Sequence, residues 1–175
     1  MSDTSVTLGP LEQVDGRWTV GDSRRPGGAW LEFRADGLYP HARDSVGQVI
    51  PWSRIMLVTR CTLGAKYPKG SYGLMALLGG LSGPWKGRGR GYLHMTLRHP
   101  YEDWLAPFDR HPHWYDLTDL ALFEALLTQT TNAREAQKFG DADWLNRAVE
   151  RLARQQPRPR TAHQIQEAVT QTRQE

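Results

Sequence analysis

The sequence contains a single cysteine, no long apolar run and, through its middle third, no acidic residue. One cysteine cannot form a disulfide within the chain, and Cys61 follows the apolar run Ile55–Val58, which predicts a buried strand thiol. The longest apolar run, Leu74–Leu81, is far shorter than the roughly 20 residues that span a bilayer. The first residues, Met1–Ser5, lack the basic start and apolar stretch of a secretion signal, so we expect a cytoplasmic protein, at most peripherally bound to membranes.

The acid-free region runs from Ser45 to Tyr101 and holds eight of the 22 basic residues but none of the 19 acidic ones. Its charge is therefore +8, and the rest of the chain carries −5, although the whole chain is only +3. Such a segment favours anionic partners. The eight cations are Arg54, Arg60, Lys66, Lys69, Lys86, Arg88, Arg90 and Arg98.

Motifs of the common catalytic classes are also missing. The chain has no G-x-S-x-G nucleophile elbow, no Walker-type phosphate loop, no G-x-G-x-x-G opening a helix and no H-E-x-x-H zinc motif. Glu102 and Asp103 are neighbours, but adjacent carboxylates point apart on a strand, which favours a polar loop over an acid/base pair. We therefore predict a non-enzymatic protein without catalytic residues or cofactors, although residues distant in sequence can still assemble a reactive site.

The composition supports one folded domain with an appendage, because 39% of the 175 residues are hydrophobic and seven are tryptophan. Alternating apolar and polar residues predict half-buried strands over Arg17–Val20, Ala29–Arg34 and Tyr92–Arg98, and an apolar run predicts another over Ile55–Cys61. Between Thr62 and Gly91 this pattern gives way to a long glycine-rich loop, which is typical of a functional or mobile segment. The polar face of the second strand carries Trp30, Glu32 and Arg34.

The last third of the chain predicts helices. Asp116 is a suitable N-cap for a helix over about Leu117–Thr130, and Asp141 for another helix farther on. The second helix has an apolar stripe at helical spacing, which indicates a face packed on the core. The stripe consists of Trp144, Leu145, Ala148, Val149 and Leu152.

Two weaker helices are predicted beside these. Asn132 and Glu135 have the spacing of a capping box for a short helix that ends at Gly140. Thr161 with Gln164 is suited to cap a final helix that has few apolar residues. This tail is predicted to be either solvated or docked on another surface.

Three stretches together resemble a bacterial pleckstrin-homology-like (PH-like) domain: Trp30–Gly37 with its Ala-Asp-Gly turn, Ile50–Val58 with Ile-Pro-Trp-Ser-Arg-Ile, and the helix Leu117–Leu127. The resemblance implies an α+β fold, a PH-like small β-barrel or bent antiparallel sheet capped by a C-terminal helix. It departs from a plain PH-like domain in the glycine-rich insertion and the extra helices. The predicted organisation is an N-terminal segment (1–14), the PH-like domain (15–131, with the basic loop 62–91), a helical extension (132–155) and a tail (156–175).

The first candidate site is the basic loop, in which Lys86-Gly87-Arg88-Gly89-Arg90-Gly91 alternates cations with glycine. Glycine lets backbone N–H groups approach an anion closely, and the neighbouring apolar run Leu74–Leu81 suits insertion among lipid headgroups. Gly-Arg repeats beside aromatics also suit nucleic acid. A solvated hairpin whose leucines fold back on the domain remains the plain alternative. The candidate binding residues of this loop are Lys66, Lys69, Trp85, Lys86, Arg88 and Arg90.

The second candidate is the pair Arg24 and Arg25, which lies where PH-like domains that bind phosphoinositides place basic residues; ordinary surface arginines in a turn are the alternative. A third is His111-Pro112-His113. Metal ligation can be drawn there with nearby aspartates, but helical or paired-cysteine spacing is absent, so we predict an aromatic-rich turn and no metal.

The sequence thus predicts a binding or adaptor protein that engages a protein partner or an anionic membrane surface. A nucleic-acid-binding accessory protein is the alternative, and a metal-dependent enzyme is a third.

Overall fold

The first half of the chain forms an antiparallel meander of short strands. A computed structural model describes residues 6–63, 89–113 and 115–175. Seven strands form one sheet, in which β1 to β6 are neighbours in chain order and β7 pairs with β5. They are β1 (Thr7–Leu8), β2 (Leu11–Val14), β3 (Arg17–Val20), β4 (Trp30–Arg34), β5 (Gly37–Ala42), β6 (Ser45–Val46) and β7 (Ile50–Pro51).

A second antiparallel sheet has three strands in the order β10-β9-β8. A 3-10 helix, Trp52–Arg54, joins it to the first sheet. Its strands are β8 (Ile55–Leu63), β9 (Arg90–Leu97) and β10 (Glu102–Asp109). The two sheets are not closed into a barrel over the described residues.

Three α-helices follow the strands, with a 3-10 helix at Ala136–Gly140. Asp116 and Asp141 each accept hydrogen bonds from two backbone N–H groups of the helix that follows, and Thr161 accepts one from Gln164. The helices are α1 (Leu117–Asn132), α2 (Ala142–Arg154) and α3 (Ala162–Gln174). Of the helices that the structure describes, none has the length and apolar composition needed to cross a bilayer.

The core lies between the inner faces of the two sheets and the helices. Alternation places Leu31 and Phe33 of β4 inside, and Leu93, Met95 and Leu97 of β9 also point inward, as the sequence predicts. All five residues of the predicted α2 stripe are buried. The tail is docked through α3, which packs on α1 and buries Ile165, Ala168, Val169 and Thr172.

Helix α1 covers the outer edge of β8. The Oγ1 atom of Thr131 accepts from the Val58 N–H at 3.0 Å, and Thr128 donates to the Val58 carbonyl at 3.0 Å. One turn earlier, Glu124 accepts from the Cys61 N–H at 2.9 Å. These three helix residues lie at i, i+4 and i+7 and satisfy backbone groups that an exposed edge strand would leave unpaired.

The predicted α+β class is confirmed. The predicted boundary at residue 15 falls inside the first sheet, because residues 7–14 form β1 and β2. The predicted capping box at Asn132 and Glu135 is wrong: Asn132 is the last residue of α1, and no side chain caps the 3-10 helix. Glu102 and Asp103 begin strand β10 rather than a polar loop, since Ala106 and Phe108 alternate into the core behind them.

Candidate functional site

Three segments that are distant in sequence meet at one corner of the two sheets: the loop between β3 and β4, the start of β9 and the end of β10. Asp22 N–H donates to the Asp109 carbonyl at 2.8 Å, and Asp109 N–H donates to the Ala29 carbonyl at 2.6 Å. Arg110 N–H donates to the Gly89 carbonyl at 2.8 Å. Main-chain hydrogen bonds therefore hold the three segments together, and the side chains of this corner project from a fixed backbone.

Asp109 lies beside two of the predicted arginines, Arg25 and Arg90. Its carboxylate accepts from the Ala29 N–H at 2.8 Å and lies 3.3 Å from Nη1 of Arg25. In the strand register, Arg90 of β9 lies directly opposite Asp109 of β10. Because directly paired residues of antiparallel strands point to the same face, exposed Arg90 projects on the side where Arg25 meets Asp109. Gly21, at φ +91°, allows this approach, since a Cβ there would lie 2.8 Å from the Asp109 carbonyl oxygen.

The other predicted arginine, Arg24, binds a buried glutamate. Its Nη1 lies 2.7 Å from Oε1 of Glu12 on β2, and the same oxygen lies 2.9 Å from Nε2 of His111. Burial alone would raise the pKa of Glu12, but the hydrogen bonds and charges of His111 and Arg24 outweigh it, so the pKa is lowered. Glu12 is therefore an ionised acceptor inside the protein.

Tyr115 completes the buried chain of polar groups. Its hydroxyl oxygen accepts from the His111 backbone N–H at 2.9 Å and lies 2.7 Å from Nδ1 of His111. Burial raises the pKa of Tyr115 far above its ordinary value, so the phenol stays neutral. Because the ionised carboxylate of Glu12 can only accept, Nε2 of His111 donates to it. Every polar group of the Glu12–His111–Tyr115 chain is then satisfied.

We call Arg24, Arg25, Arg90 and Arg110, with Glu12 and Asp109, the cationic corner. Its acids lie inside and the two arginines that contact them lie outside: the side chains of Glu12 and Asp109 are 6% and 10% exposed, whereas those of Arg24 and Arg25 are 57% and 38% exposed. Arg110 is mostly buried, with its guanidinium 5.9 Å from the Tyr115 ring centre. Fixed guanidinium groups that face solvent over buried carboxylates can donate to phosphate or carboxylate oxygens.

Asp22 is the acidic residue closest in sequence to Arg24 and Arg25, and its carboxylate accepts from the Arg24 N–H at 3.1 Å. It shapes the turn that presents the arginine pair. The other predicted binding residues, Lys66, Lys69, Trp85, Lys86 and Arg88, lie outside the described residues. Of the predicted set, the structure therefore brings Arg24, Arg25 and Arg90 together at the corner, and His111 with them.

A second ionic cluster lies on the outer face of the first sheet, and the sequence did not predict it as a site. Glu32 is 1% exposed, and its carboxylate lies 2.8 Å from both Arg34 and His41. The rings of His41 and Trp30 stack with their centres 3.7 Å apart. Burial opposes ionisation of Glu32, but Arg34 and His41 lower its pKa. The only sequence signal for this cluster was the predicted polar face of β4. A glutamate buried on that face needs polar partners, and the cross-strand pairing supplies them.

The described side chains of the turn His111-Pro112-His113 and its neighbours do not form a metal site. His111 and His113 stack with ring centres 5.0 Å apart, and both His111 nitrogens are engaged by protein groups. Asp116 is the N-cap of α1. Within the described ranges, no group of three or more His, Cys, Asp or Glu side chains is arranged to hold a metal ion.

No protein-family model, curated protein or solved structure matches this chain.

Proposed function

We propose that this protein is a non-enzymatic binding protein, built on a PH-like scaffold, that engages an anionic membrane surface through the cationic corner. The observation that carries the proposal is the convergence of Arg24, Arg25 and Arg90 over buried carboxylates. The sequence adds Lys86 and Arg88 immediately before β9. Several cations at one corner attract an anionic surface more strongly than the same charges spread over the molecule.

The membrane is preferred over other anions because of what adjoins the cations in sequence. The apolar run Leu74–Leu81 precedes Trp85 and Lys86 within the same acid-free segment. Apolar and aromatic residues beside cations are the composition of segments that enter the headgroup region. Two antiparallel sheets followed by a packed helix support the PH-like scaffold.

A non-catalytic role is supported by the state of the titratable groups at the corner. The Glu12–His111–Tyr115 chain is buried and internally satisfied, and general acid/base catalysis needs a group within reach of a substrate proton. These residues instead fix the segment after β10 and the arginine loop. We assign them a positioning role.

Vesicle co-sedimentation tests the proposal. We expect the chain to bind vesicles of equal parts phosphatidylserine and phosphatidylcholine but not vesicles of phosphatidylcholine alone. Added salt should release the bound protein. Arg88→Ala/Arg90→Ala should weaken binding about 30-fold, since each cation contributes about 1 kcal/mol at an anionic surface. Arg60→Ala/Arg160→Ala, a charge-matched pair of exposed arginines elsewhere, is the control.

Equal binding to both vesicle types, or equal losses in the two double variants, would refute the proposed site. A parallel gel-shift experiment with single-stranded RNA and duplex DNA covers the predicted alternative. If nucleic acid binds, vesicles do not, and only the Arg88/Arg90 variant loses the complex, the partner is nucleic acid.

A further inference from the structure

A groove of about 540 Å³ lies between α2 and α3, separate from the residues of the cationic corner. Trp144 and Ala148 of α2 line it on one side, and Glu175 lines it from the end of α3. Trp144 is 7% exposed. The groove therefore combines an apolar floor with charged walls.

One wall is a row of arginines on α2. Arg147, Arg151 and Arg154 line the groove at helical spacings of four and three residues, which places them on one face. At a rise of 1.5 Å per residue, the row is about 10 Å long. All three are exposed, and neither Arg147 nor Arg154 forms an ion pair with any residue in the described ranges.

The third arginine is already bound to a carboxylate. Nη1 of Arg151 contacts Oε2 of Glu175, a side chain 63% exposed at the end of α3. The groove thus shows, within this chain, the kind of group that it accepts. The other acidic residue in the lining is Glu150, so the three arginines outnumber the two glutamates.

Stabilisation of the helix end does not account for the row. Arginines in the last turn of a helix do interact favourably with its dipole, but Arg147 lies in the middle of α2. The terminal carbonyls of Leu152 and Ala153 also have a cation of their own, since Nη1 of Arg158 donates to them at 3.2 and 3.1 Å.

We propose that this groove binds a short acidic segment of a partner protein in extended conformation, with its carboxylates on the α2 arginines and Glu175 as the internal competitor. An extended peptide places alternate side chains on one side about 6–7 Å apart. Adjacent arginines of the row are about 4.5–6 Å apart along the helix, so alternate carboxylates meet successive guanidinium groups. A single small anion would occupy only part of a row of this length.

Fluorescence anisotropy with the full 175-residue chain tests this proposal. The probe is a labelled peptide in which glutamate alternates with serine, and its lysine counterpart is the peptide control. We expect the glutamate peptide alone to bind, with an affinity that falls as salt is added. Arg147→Ala/Arg154→Ala should weaken binding about tenfold, and thermal unfolding checks that this variant remains folded.

Glu175→Gln is the sharper variant, because it removes the competitor without touching the arginines. We expect it to bind the glutamate peptide several-fold more tightly than the wild type, whereas Arg88→Ala/Arg90→Ala should bind it unchanged. No binding by the wild type, equal binding by the Arg147/Arg154 variant, or no gain in Glu175→Gln would each overturn the proposal. Loss of vesicle binding in the Arg147/Arg154 variant without any peptide binding would overturn it in favour of a membrane-facing groove.

Discussion

Nε2 of His111 lies 2.9 Å from Oε1 of Glu12, although 99 positions separate the two residues in the chain. The bond joins β2, near the start of the chain, to the segment that leads from β10 into α1. Both side chains are at most 6% exposed. Because a buried carboxylate is tolerated only when paired, this contact ties the start of the first sheet to the cationic corner.

Removal of the Glu12 carboxylate should therefore destabilise the whole fold. Glu12→Ala leaves buried His111 without its acceptor, and we expect a loss of about 1–3 kcal/mol in the free energy of unfolding. Glu12→Gln keeps an oxygen acceptor and should lose less. Urea unfolding at neutral pH measures both, with exposed Glu150→Ala as the control, which should change by no more than about 0.5 kcal/mol. Equal stability of Glu12→Ala and wild type would contradict the assigned role.

The edge of β8 offers a matched pair of threonines. Thr131 is 1% exposed and accepts from the Val58 N–H, whereas Thr130 is 0% exposed and its hydroxyl has no hydrogen-bond partner among the described residues. Thr131→Val should cost about 1–3 kcal/mol, because a buried backbone N–H is left unsatisfied. Thr130→Val should be neutral or stabilising. Thermal unfolding compares the two, and equal changes would show that α1 does not cap this edge.

Two glycines at the start of β9 should respond differently to a methyl group. A Cβ at Gly91 would overlap the ring of Phe108, which is 0% exposed, whereas the nearest atom to a Cβ at Gly89 is 3.7 Å away. We expect Gly91→Ala to lower stability by about 1–3 kcal/mol through overpacking. Gly89→Ala should stay close to wild type. Chemical denaturation measures the free energy of unfolding of both variants. Equal values for the two would show that β9 does not pack directly on Phe108.

Stability should fall as the pH is lowered from about 7.5 to about 6. Burial lowers the pKa of His41, His94 and His113 below the ordinary value of 6.5. The unfolded chain therefore binds protons at a higher pH than the folded chain does, and acidification favours unfolding. The free energy of unfolding measured across this range should have a positive slope against pH.

A single histidine variant makes this pH prediction specific. His94→Gln should reduce the slope, because it removes one of the three shifted groups, while His163→Gln, at an exposed position of α3, should leave it unchanged. A slope of zero, or the same slope in both variants, would contradict the lowered pKa of His94.

Local signals predicted the helices well. Asp116, Asp141 and Thr161 were predicted as N-caps, and each accepts the expected backbone hydrogen bonds. The capping box at Asn132 failed because α1 continues through that residue, and packing on β8 and α3 extends a helix beyond its local signals.

Strand β10 was missed because its local signals disagree. It begins with two acidic residues and contains Pro107, both unfavourable in a strand, yet Ala106 and Phe108 alternate correctly into the core. Pairing with β9 over its whole length outweighs the weak propensity. Strand formation here depends on a neighbour that no short window of sequence contains.

The sequence by itself determined the α+β class, the main apolar faces, the helix N-caps and the concentration of positive charge, because these follow from spacing and residue type. Only the tertiary structure decided that Arg24, Arg25 and Arg90 share a corner, and that Glu12 and Glu32 lie buried among cations. Those contacts depend on strand pairing and on main-chain bonds between distant segments, as between Asp22 and Asp109. Such long-range pairing leaves no periodic signal in the residues that make it.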